Sequence, residues 1–112
     1  MNNPGANLPL QPSQAQPILI LKLYVTGGAI NSLRALANLH DLCETYFKGQ
    51  YQLEVIDIFD QPLQALADHV LMTPTLVKLS PPPSARIAGD LSRQDVVLLA
   101  LQSGWSPPNE ND

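Results

Sequence analysis

The chain has 112 residues, a formal net charge of −4 and a hydrophobic content of 45%. This length and composition suit one compact domain with a modest core and exclude intrinsic disorder in the middle of the chain. The negative charge and the absence of a basic run argue against nucleic acid as a partner. The single cysteine, Cys43, excludes an internal disulfide and a multi-thiolate metal site, and it fits a cytoplasmic protein. The longest apolar run, ILILKLYV, is too short to span a bilayer, so no membrane association is predicted.

Composition divides the chain into three segments. Residues 1–17 are rich in Pro, Asn and Gln and are predicted to be a flexible leader. Residues 18–102 carry the periodic apolar pattern of a single domain, and residues 103–112 resemble a short loose tail. Trp105 is the exception in that tail, because a tryptophan offers a large apolar surface. We expect Trp105 to dock on the domain or on a partner.

The first half of the domain predicts a strand, a helix and a second strand. Residues 18–25 are apolar apart from Lys22, which is typical of a strand buried on both faces. A glycine turn follows, and either Asn31 or Ser32 is a candidate N-cap for a helix over 32–47. Gly49 is a candidate C-cap. The alternation in residues 51–58 predicts a strand, parallel to the first in a βαβ unit. One helix face is predicted to carry Leu33, Leu36, Leu39, His40, Cys43 and Phe47.

The second half predicts a short helix, two antiparallel strands and a final helix. Asp60 is a candidate cap, with Pro62 in the first turn of the short helix, whose apolar stripe would comprise Leu63, Leu66, Ala67 and Val70. Strands are predicted over 75–79 and 85–89, joined by a stiff proline turn. Ser92 and Asp95 form a capping-box pattern before the last helix. That helix is apolar almost all round, so we expect it to be deeply buried or part of an interface.

This β-α-β-α-β-β-α order is that of a thioredoxin-like α/β domain. Pro74, between two threonines at the start of a predicted strand, stands where thioredoxin-like proteins place a proline facing a redox dithiol. The turn that would carry the dithiol here, VTGGAINS, contains no thiol, so dithiol–disulfide exchange at that turn is excluded. Cys43 is interpreted as a small core hydrophobe.

The sequence gives little support to other enzymatic chemistry or to a metal site. Ser32 stands where a glutathione-dependent enzyme of this fold would need a hydroxyl, but N-capping explains it better, and the chain is too short for the helical domain of glutathione transferases. His40 is predicted to be semi-buried and His69 exposed, on separate helices, which does not suggest a ligand pair. No catalytic, cofactor-binding or metal-ligating residue is predicted.

Several motifs taken in order give the chain a family resemblance. LKLYV, NSLRAL, FKGQYQLEVIDI, MTPTLVKLSPPP and GDLS together resemble the cyanobacterial circadian clock protein family KaiB, over residues 18–102. Pro62 also matches the family's proline early in the second helix. T-P-T, P-P-P and G-D-L-S recur with the family's spacing, so the resemblance is specific.

The resemblance implies a protein without enzymatic activity. KaiB-like proteins bind the N-terminal ring of the clock ATPase KaiC, recruit KaiA there, and compete with the thioredoxin-like sensor domain of a clock histidine kinase. The family is metamorphic: its resting state is usually a homotetramer with a differently folded C-terminal half, and its binding state is a thioredoxin-like monomer. The resting fold, with the same N-terminal βαβ half, is therefore an alternative architecture for this chain.

The resemblance and the proline content also suggest residues that control fold switching. The X-Pro bonds have a small cis/trans free-energy gap, which leads to the hypothesis that proline isomers gate the switch. Core clock members often read G-L-D where this chain has Ala100, Leu101 and Gln102; alanine favours a helix over glycine by about 0.8–1 kcal/mol. The predicted determinants are Pro62, Pro74, Pro81, Pro82, Pro83, Gly89, Asp90, Ala100 and Gln102.

Basic positions that match the family pattern are candidates for partner or oligomer contacts. They are Lys22, Arg34, Lys78 and Arg86, joined by His69, which replaces the family's lysine before T-P-T. These departures suggest a divergent paralogue. Two alternatives remain: a KaiB-like stress adapter or holdase outside the clock, which would use the last helix as its client surface, and a glutathione-dependent enzyme.

Overall fold

The computed structural model describes residues 18–107 and places seven elements along them. The order matches the predicted one; the leader over 1–17 and the tail residues 108–112 lie outside the described part. No helix within residues 18–107 is long and apolar enough to cross a membrane. The elements are β1 (Leu19–Val25), α1 (Ile30–Tyr46), β2 (Tyr51–Asp57), α2 (Pro62–Ala67), β3 (Thr75–Ser80), β4 (Ala85–Ala88) and α3 (Gln94–Gln102).

The four strands form one mixed sheet in the order β2-β1-β3-β4. β1 pairs with β2 in parallel, as predicted from the strand–helix–strand pattern, with Leu21 opposite Leu53. β3 runs antiparallel to both β1 and β4. The mixed sheet and this order confirm the thioredoxin-like prediction.

The two faces of the sheet bury different clusters, because side chains alternate along each strand. Leu19, Leu21 and Leu23 of β1 face α1 and α3 and form the main core. On the other face Tyr24 joins a smaller cluster beneath α2, whose other buried members are Ile56, Ala65 and Val77. β1 is thus buried on both sides, as its continuous apolar run indicated.

The predicted inward face of α1 was partly wrong. Leu39, Cys43 and Phe47 are buried as expected, but Leu33 is 51% exposed and His40 is also exposed. The buried positions of α1 are Ser32, Ala35, Leu39, Leu42 and Cys43. The small residues Ser32 and Ala35 occupy the inner face of the first turns, and Leu33 and His40 lie on the outer side.

The predicted helix caps were also wrong. α1 begins at Ile30 with Ala29 at the N-cap and no side-chain cap, so neither Asn31 nor Ser32 caps it. Gly49 takes a positive φ of 75° in the turn after α1, but the C-cap is Phe47. The other mispredicted caps are those of α2, where Gln61 and not Asp60 is the N-cap, and of α3, where Arg93 takes that place.

The capping box before α3 does not form because the Ser92 N–H and the Asp95 carboxylate both have other partners. The Asp90 carboxylate accepts the backbone N–H of Ser92 at 3.0 Å. The Asp95 carboxylate lies 3.4 Å from the Arg93 guanidinium. Asp95 remains in the first turn of α3, where a negative charge is favourable.

The last helix is buried on one side only. Val97 and Leu101 pack in the main core, whereas Val96 and Leu99 are 43% and 73% exposed. The deeply buried alternative for this helix is therefore wrong. Trp105 docks on the domain, where its ring meets Phe47 edge-on at a centroid distance of 4.7 Å.

Candidate partner-binding surface

Helix α2 turns a face to the sheet that differs from the predicted stripe. Its buried residue is Ala65, whereas Leu63 and Leu66 are 79% and 71% exposed. The predicted stripe is therefore wrong at Leu63, Leu66 and Ala67, which are exposed, and right at Val70, which packs against the smaller cluster. The reason lies beneath the helix, where β1 presents the polar groups of Lys22 and Tyr24, which need polar partners in a poorly hydrated site.

Asp68, the residue after α2, satisfies those groups. Its carboxylate accepts a hydrogen bond from the Tyr24 hydroxyl and lies 3.6 Å from the Lys22 ammonium. Arg86 of β4 donates to the backbone carbonyls of Asp68 and His69. We call Lys22, Tyr24, Asp68 and Arg86 the Asp68 cluster. It ties together β1, β4 and the end of α2.

The electrostatics of the Asp68 cluster follow from these contacts. The Tyr24 hydrogen bond lowers the pKa of the Asp68 carboxyl, partly opposed by burial and reinforced by the nearby Lys22 charge. Burial, followed by the hydrogen bond to Asp68, raises the pKa of Tyr24 to about 12. At neutral pH the cluster therefore holds an ionised carboxylate between a neutral phenol and an ammonium.

A backbone motif at the end of α2 fixes this arrangement. The His69 N–H donates to the Leu66 carbonyl at 3.0 Å, and the Val70 N–H donates to the Ala65 carbonyl at 2.9 Å. This pair of bonds is a Schellman motif, which requires a left-handed residue after the C-cap. His69 takes that position with φ of 56°. Val70, which follows, packs against the smaller core cluster.

The result is an exposed apolar surface in one stretch of the chain. The exposed fractions are 74% for Phe59, 79% for Leu63, 71% for Leu66, 95% for Leu71 and 60% for Met72. We call these five residues the α2 surface. Large exposed apolar side chains clustered in this way mark an interaction site more often than a catalytic one.

A shallow hollow adjoins the α2 surface. Its volume is about 270 Å³, and it is lined by His69, Leu71, Met72, Thr75, Arg86 and Ala88. Most of its lining is apolar, with one guanidinium at the edge. Such a hollow suits an apolar side chain from a partner better than a polar substrate.

The five predicted contact residues divide between the two faces of the sheet. Lys22, His69 and Arg86 lie together beneath and beside α2. Arg34 is exposed on α1, on the other side. Lys78 is 1% exposed, so in this fold its side chain is not accessible to a partner. Partner contact by these residues stays a prediction.

The residues predicted to control fold switching occupy the connections of the second half. The Thr73–Pro74, Ser80–Pro81 and Pro82–Pro83 bonds are cis. Pro62 is the first residue of α2. Gly89 has φ of 109°, and the Asp90 carbonyl accepts a hydrogen bond from the Asn38 amide at 2.8 Å. Ala100 and Gln102 lie in the last turn of α3. Their role in switching stays a prediction.

The place of a thioredoxin active site is filled by hydrogen bonds among hydroxyls and backbone. The Thr26 and Thr73 hydroxyls are 2.5 Å apart. The Ser32 hydroxyl accepts the Thr26 N–H at 3.1 Å, and Ser32 is 2% exposed. A glutathione thiol could not reach that hydroxyl without displacing this turn, which argues against the glutathione-dependent alternative.

The cysteine and the histidines do not assemble a reactive site. Cys43 is fully buried, and burial raises the pKa of its thiol to about 12, so it stays protonated and inert. Within residues 18–107, no group of three or more His, Cys, Asp or Glu side chains is arranged to hold a metal ion. His40 lies beside Asp41 on the exposed side of α1, and His69 is exposed as predicted.

Comparison with known proteins decides the family. The sequence model described as "KaiB domain" matches residues 22–103. The chain belongs to the KaiB family. A circadian clock oscillator protein KaiB of Prochlorococcus marinus strain MIT 9211 is 55% identical over 82 residues, which cover 73% of this chain and 72% of the relative. The KaiB of P. marinus subsp. pastoris strain MED4 is 52% identical over 98 residues, covering 88% and 92% respectively.

Solved structures similar to this KaiB-family chain share its thioredoxin-like fold. The N-terminal domain of Synechococcus elongatus SasA matches with a TM-score of 0.67 and 29% identity, covering 85% of this chain and 90% of that domain. A thioredoxin from Halobacterium salinarum matches with a TM-score of 0.65 at 18% identity, covering 80% of this chain and 76% of the thioredoxin. The KaiB relatives, together with the SasA domain, make this chain a circadian clock component with a thioredoxin-like fold.

Proposed function

We propose that this chain is a non-enzymatic clock adapter that binds the N-terminal ring of a KaiC-type ATPase through the α2 surface. On that ring it would recruit KaiA and compete with a clock histidine kinase. The proposal is supported by membership of the KaiB family and by an exposed apolar surface on a fold whose thioredoxin-type site holds no thiol. A homotetramer at rest and a monomer in the complex complete the proposal.

The exposed leucines of the α2 surface carry this proposal. Burying a leucine side chain is worth about 1.5–3 kcal/mol, and this chain leaves Leu63, Leu66 and Leu71 more than 70% exposed in succession. Their orientation is not accidental, because Asp68 must face the sheet to reach Tyr24. A partner that covers these side chains would gain the burial that the isolated domain forgoes.

The test measures affinity of the full chain for a KaiC-type hexamer with ATP by biolayer interferometry. Leu66→Ser should weaken binding at least tenfold, because it replaces an exposed apolar side chain of the α2 surface by a polar one. Leu99→Ser on α3 is the matched control, since the two leucines are 71% and 73% exposed on helices. Equal affinity of wild type and Leu66→Ser would contradict the use of the α2 surface.

The competition part of the proposal has its own test. The structural match with this chain covers 90% of the SasA N-terminal domain. Two domains of such similar shape would compete for one site on the ring. Adding that domain should displace the chain from the hexamer in a concentration-dependent way. Simultaneous binding of both at saturating concentrations would argue for separate sites. KaiA should co-elute with the ATPase only when this chain is present.

A second candidate is a stress adapter or holdase that works outside the clock. The outer side of α3 supports it, because Val96 and Leu99 are exposed there. In that case the chain should suppress the aggregation of a heat-denatured client, measured by light scattering, without any ATPase. Leu99→Ser should abolish the effect and Leu66→Ser should leave it, the reverse of the pattern expected for ring binding.

A further inference from the structure

The attachment of α3 to the sheet depends on a short segment that follows the helix. Only Val97 and Leu101 of its nine residues are buried, so the apolar contact of the helix is thin. β4, which precedes it, has four residues. The groups that close this end of the domain instead come from Ser103, Gly104 and Trp105.

Lys78 of β3 reaches the end of α3 from within the core. Its ammonium donates to the Ala100 carbonyl at 3.3 Å and to the Ser103 carbonyl. The last carbonyls of a helix have no partner within the helix, and a cation there is favoured by the helix dipole. This explains a fully buried lysine on the core face of a strand.

Gly104 brings the chain into direct contact with the proline turn. Its φ is 79°, and a Cβ at this position would overlap the Pro82 carbonyl oxygen. Only glycine fits, for reasons both of conformation and of space. The Trp105 N–H then closes a turn onto the Gln102 carbonyl at 2.9 Å, which places the indole ring on the buried Phe47.

Two buried polar groups carry a desolvation cost in this closed arrangement. Burial lowers the pKa of Lys78, and its ammonium would regain water if α3 moved away. The Trp105 indole N–H is buried without a hydrogen-bond partner among residues 18–107, and it too would be hydrated on opening. The packing of the indole ring and the two hydrogen bonds from Lys78 therefore oppose the desolvation of two polar groups.

We propose that residues 103–105 form a latch that holds α3 on the sheet, with Lys78 as its buried catch, and that opening the latch releases α3 while the β1–α1–β2 half stays folded. The latch sets how often the C-terminal half leaves its thioredoxin-like packing. It is independent of any partner, so its test uses the chain alone.

Hydrogen exchange of the full chain tests the latch, measured on the monomer fraction from size-exclusion chromatography because the latch belongs to the thioredoxin-like fold. In Gly104→Ala, the α3 amides should exchange at least tenfold faster than in wild type, while amides of β1 and β2 change less than twofold. Gly49→Ala is the matched control: Gly49 also has a positive φ, of 75°, but a Cβ there meets nothing within 4 Å. It should not accelerate α3 selectively. Equal acceleration of all elements in Gly104→Ala would overturn the latch.

Trp105 provides a second readout, because it is the single tryptophan of the chain. In Gly104→Ala its emission should shift to longer wavelength and become more accessible to acrylamide. Lys78→Met tests the catch. It should accelerate exchange of the α3 amides and leave the β1 and β2 amides little changed, as in Gly104→Ala. Exchange of the α3 amides that is not faster than in wild type would overturn the role of Lys78.

Wild type itself remains informative if Gly104→Ala does not fold. In low denaturant, its α3 amides should exchange through an opening with a smaller denaturant dependence than that of the β1 amides. If α3 and β1 amides share one opening at every denaturant concentration, α3 does not separate from the sheet and the proposal fails.

Discussion

The hydrogen bond from Tyr24 to Asp68 is the contact that orients α2, so its removal is the most informative perturbation of the fold. Tyr24 is fully buried, and its hydroxyl donates to the Asp68 carboxylate. Asp68→Ala removes the acceptor, and Tyr24→Phe removes the donor without changing the ring. The double variant closes a thermodynamic cycle for this pair.

The expected magnitudes follow from the contacts. A hydrogen bond to a charged group contributes about 1.5–3 kcal/mol. The Lys22–Asp68 ion pair spans 3.6 Å with side chains 21% and 28% exposed, and water screening limits it to about 0.5–1 kcal/mol. Asp68→Ala should therefore lower the free energy of unfolding by about 2–4 kcal/mol and Tyr24→Phe by about 1.5–3 kcal/mol, with a coupling energy of about 1.5–3 kcal/mol.

Urea denaturation followed by far-ultraviolet circular dichroism measures all four proteins at pH 7. The pKa of the Asp68 carboxyl is lowered in the folded state, first by the Tyr24 hydrogen bond. Its contribution is thus complete above the unfolded pKa of about 3.9 and is lost as pH falls through the lower folded pKa. The coupling energy should shrink in that acid range. A coupling below about 0.5 kcal/mol at pH 7 would show that the two side chains act independently.

Three further predictions concern buried and exposed groups. The Cys43 thiol, whose pKa is raised to about 12 by burial, should not react with Ellman's reagent at pH 8 until urea unfolds the chain. The pKa of Tyr24, raised to about 12 by burial and by Asp68, implies stability that is complete below about pH 10 and lost as pH rises towards 12. Spectrophotometric titration at 295 nm should show one tyrosine equivalent fewer near pH 12 in Tyr24→Phe than in wild type; the ionisation that remains there belongs to Tyr51, whose pKa the hydrogen bond to Glu44 raises to about 12. His40→Ala should change the free energy of unfolding by less than about 0.5 kcal/mol, because the side chain is exposed; a larger loss would restore the semi-buried interpretation.

The topology was predictable because it depends on apolar patterns that each lie within one segment of the sequence. The apolar run of β1 required a strand buried on both faces, and the helical stretch between two strands required parallel pairing. Pro62 marked the start of α2 for a steric reason that holds in any context. These signals are local or nearly local, so no knowledge of the final packing was needed to interpret them.

The caps and the surface of α2 were not predictable in the same way, because distant residues decide them. Ser92 could have formed a capping box with Asp95, but the Asp90 carboxylate accepts the Ser92 backbone N–H that Asp95 would have needed. The helical period alone predicts Leu63 and Leu66 on the inner face of α2. The polar groups of β1 beneath the helix are the reason that they face outward. One sequence signal was available: Lys22 and Tyr24 are two residues apart in a strand and so share a face, which therefore needed a polar partner from the element above it.

The candidate site thus arises because the polar groups of Lys22 and Tyr24 need partners, and not because the sequence carries a binding motif. Because Asp68 must face Lys22 and Tyr24, the short helix before it can bury only Ala65. The leucines of that helix consequently face outward, where they are available to a partner. On this reasoning Asp68→Ala should weaken ring binding as well as stability, since α2 loses the contact that sets its rotation. Leu66→Ser should weaken binding alone, because an exposed side chain contributes little to the folded domain. That difference separates the residues that orient the surface from those that form it.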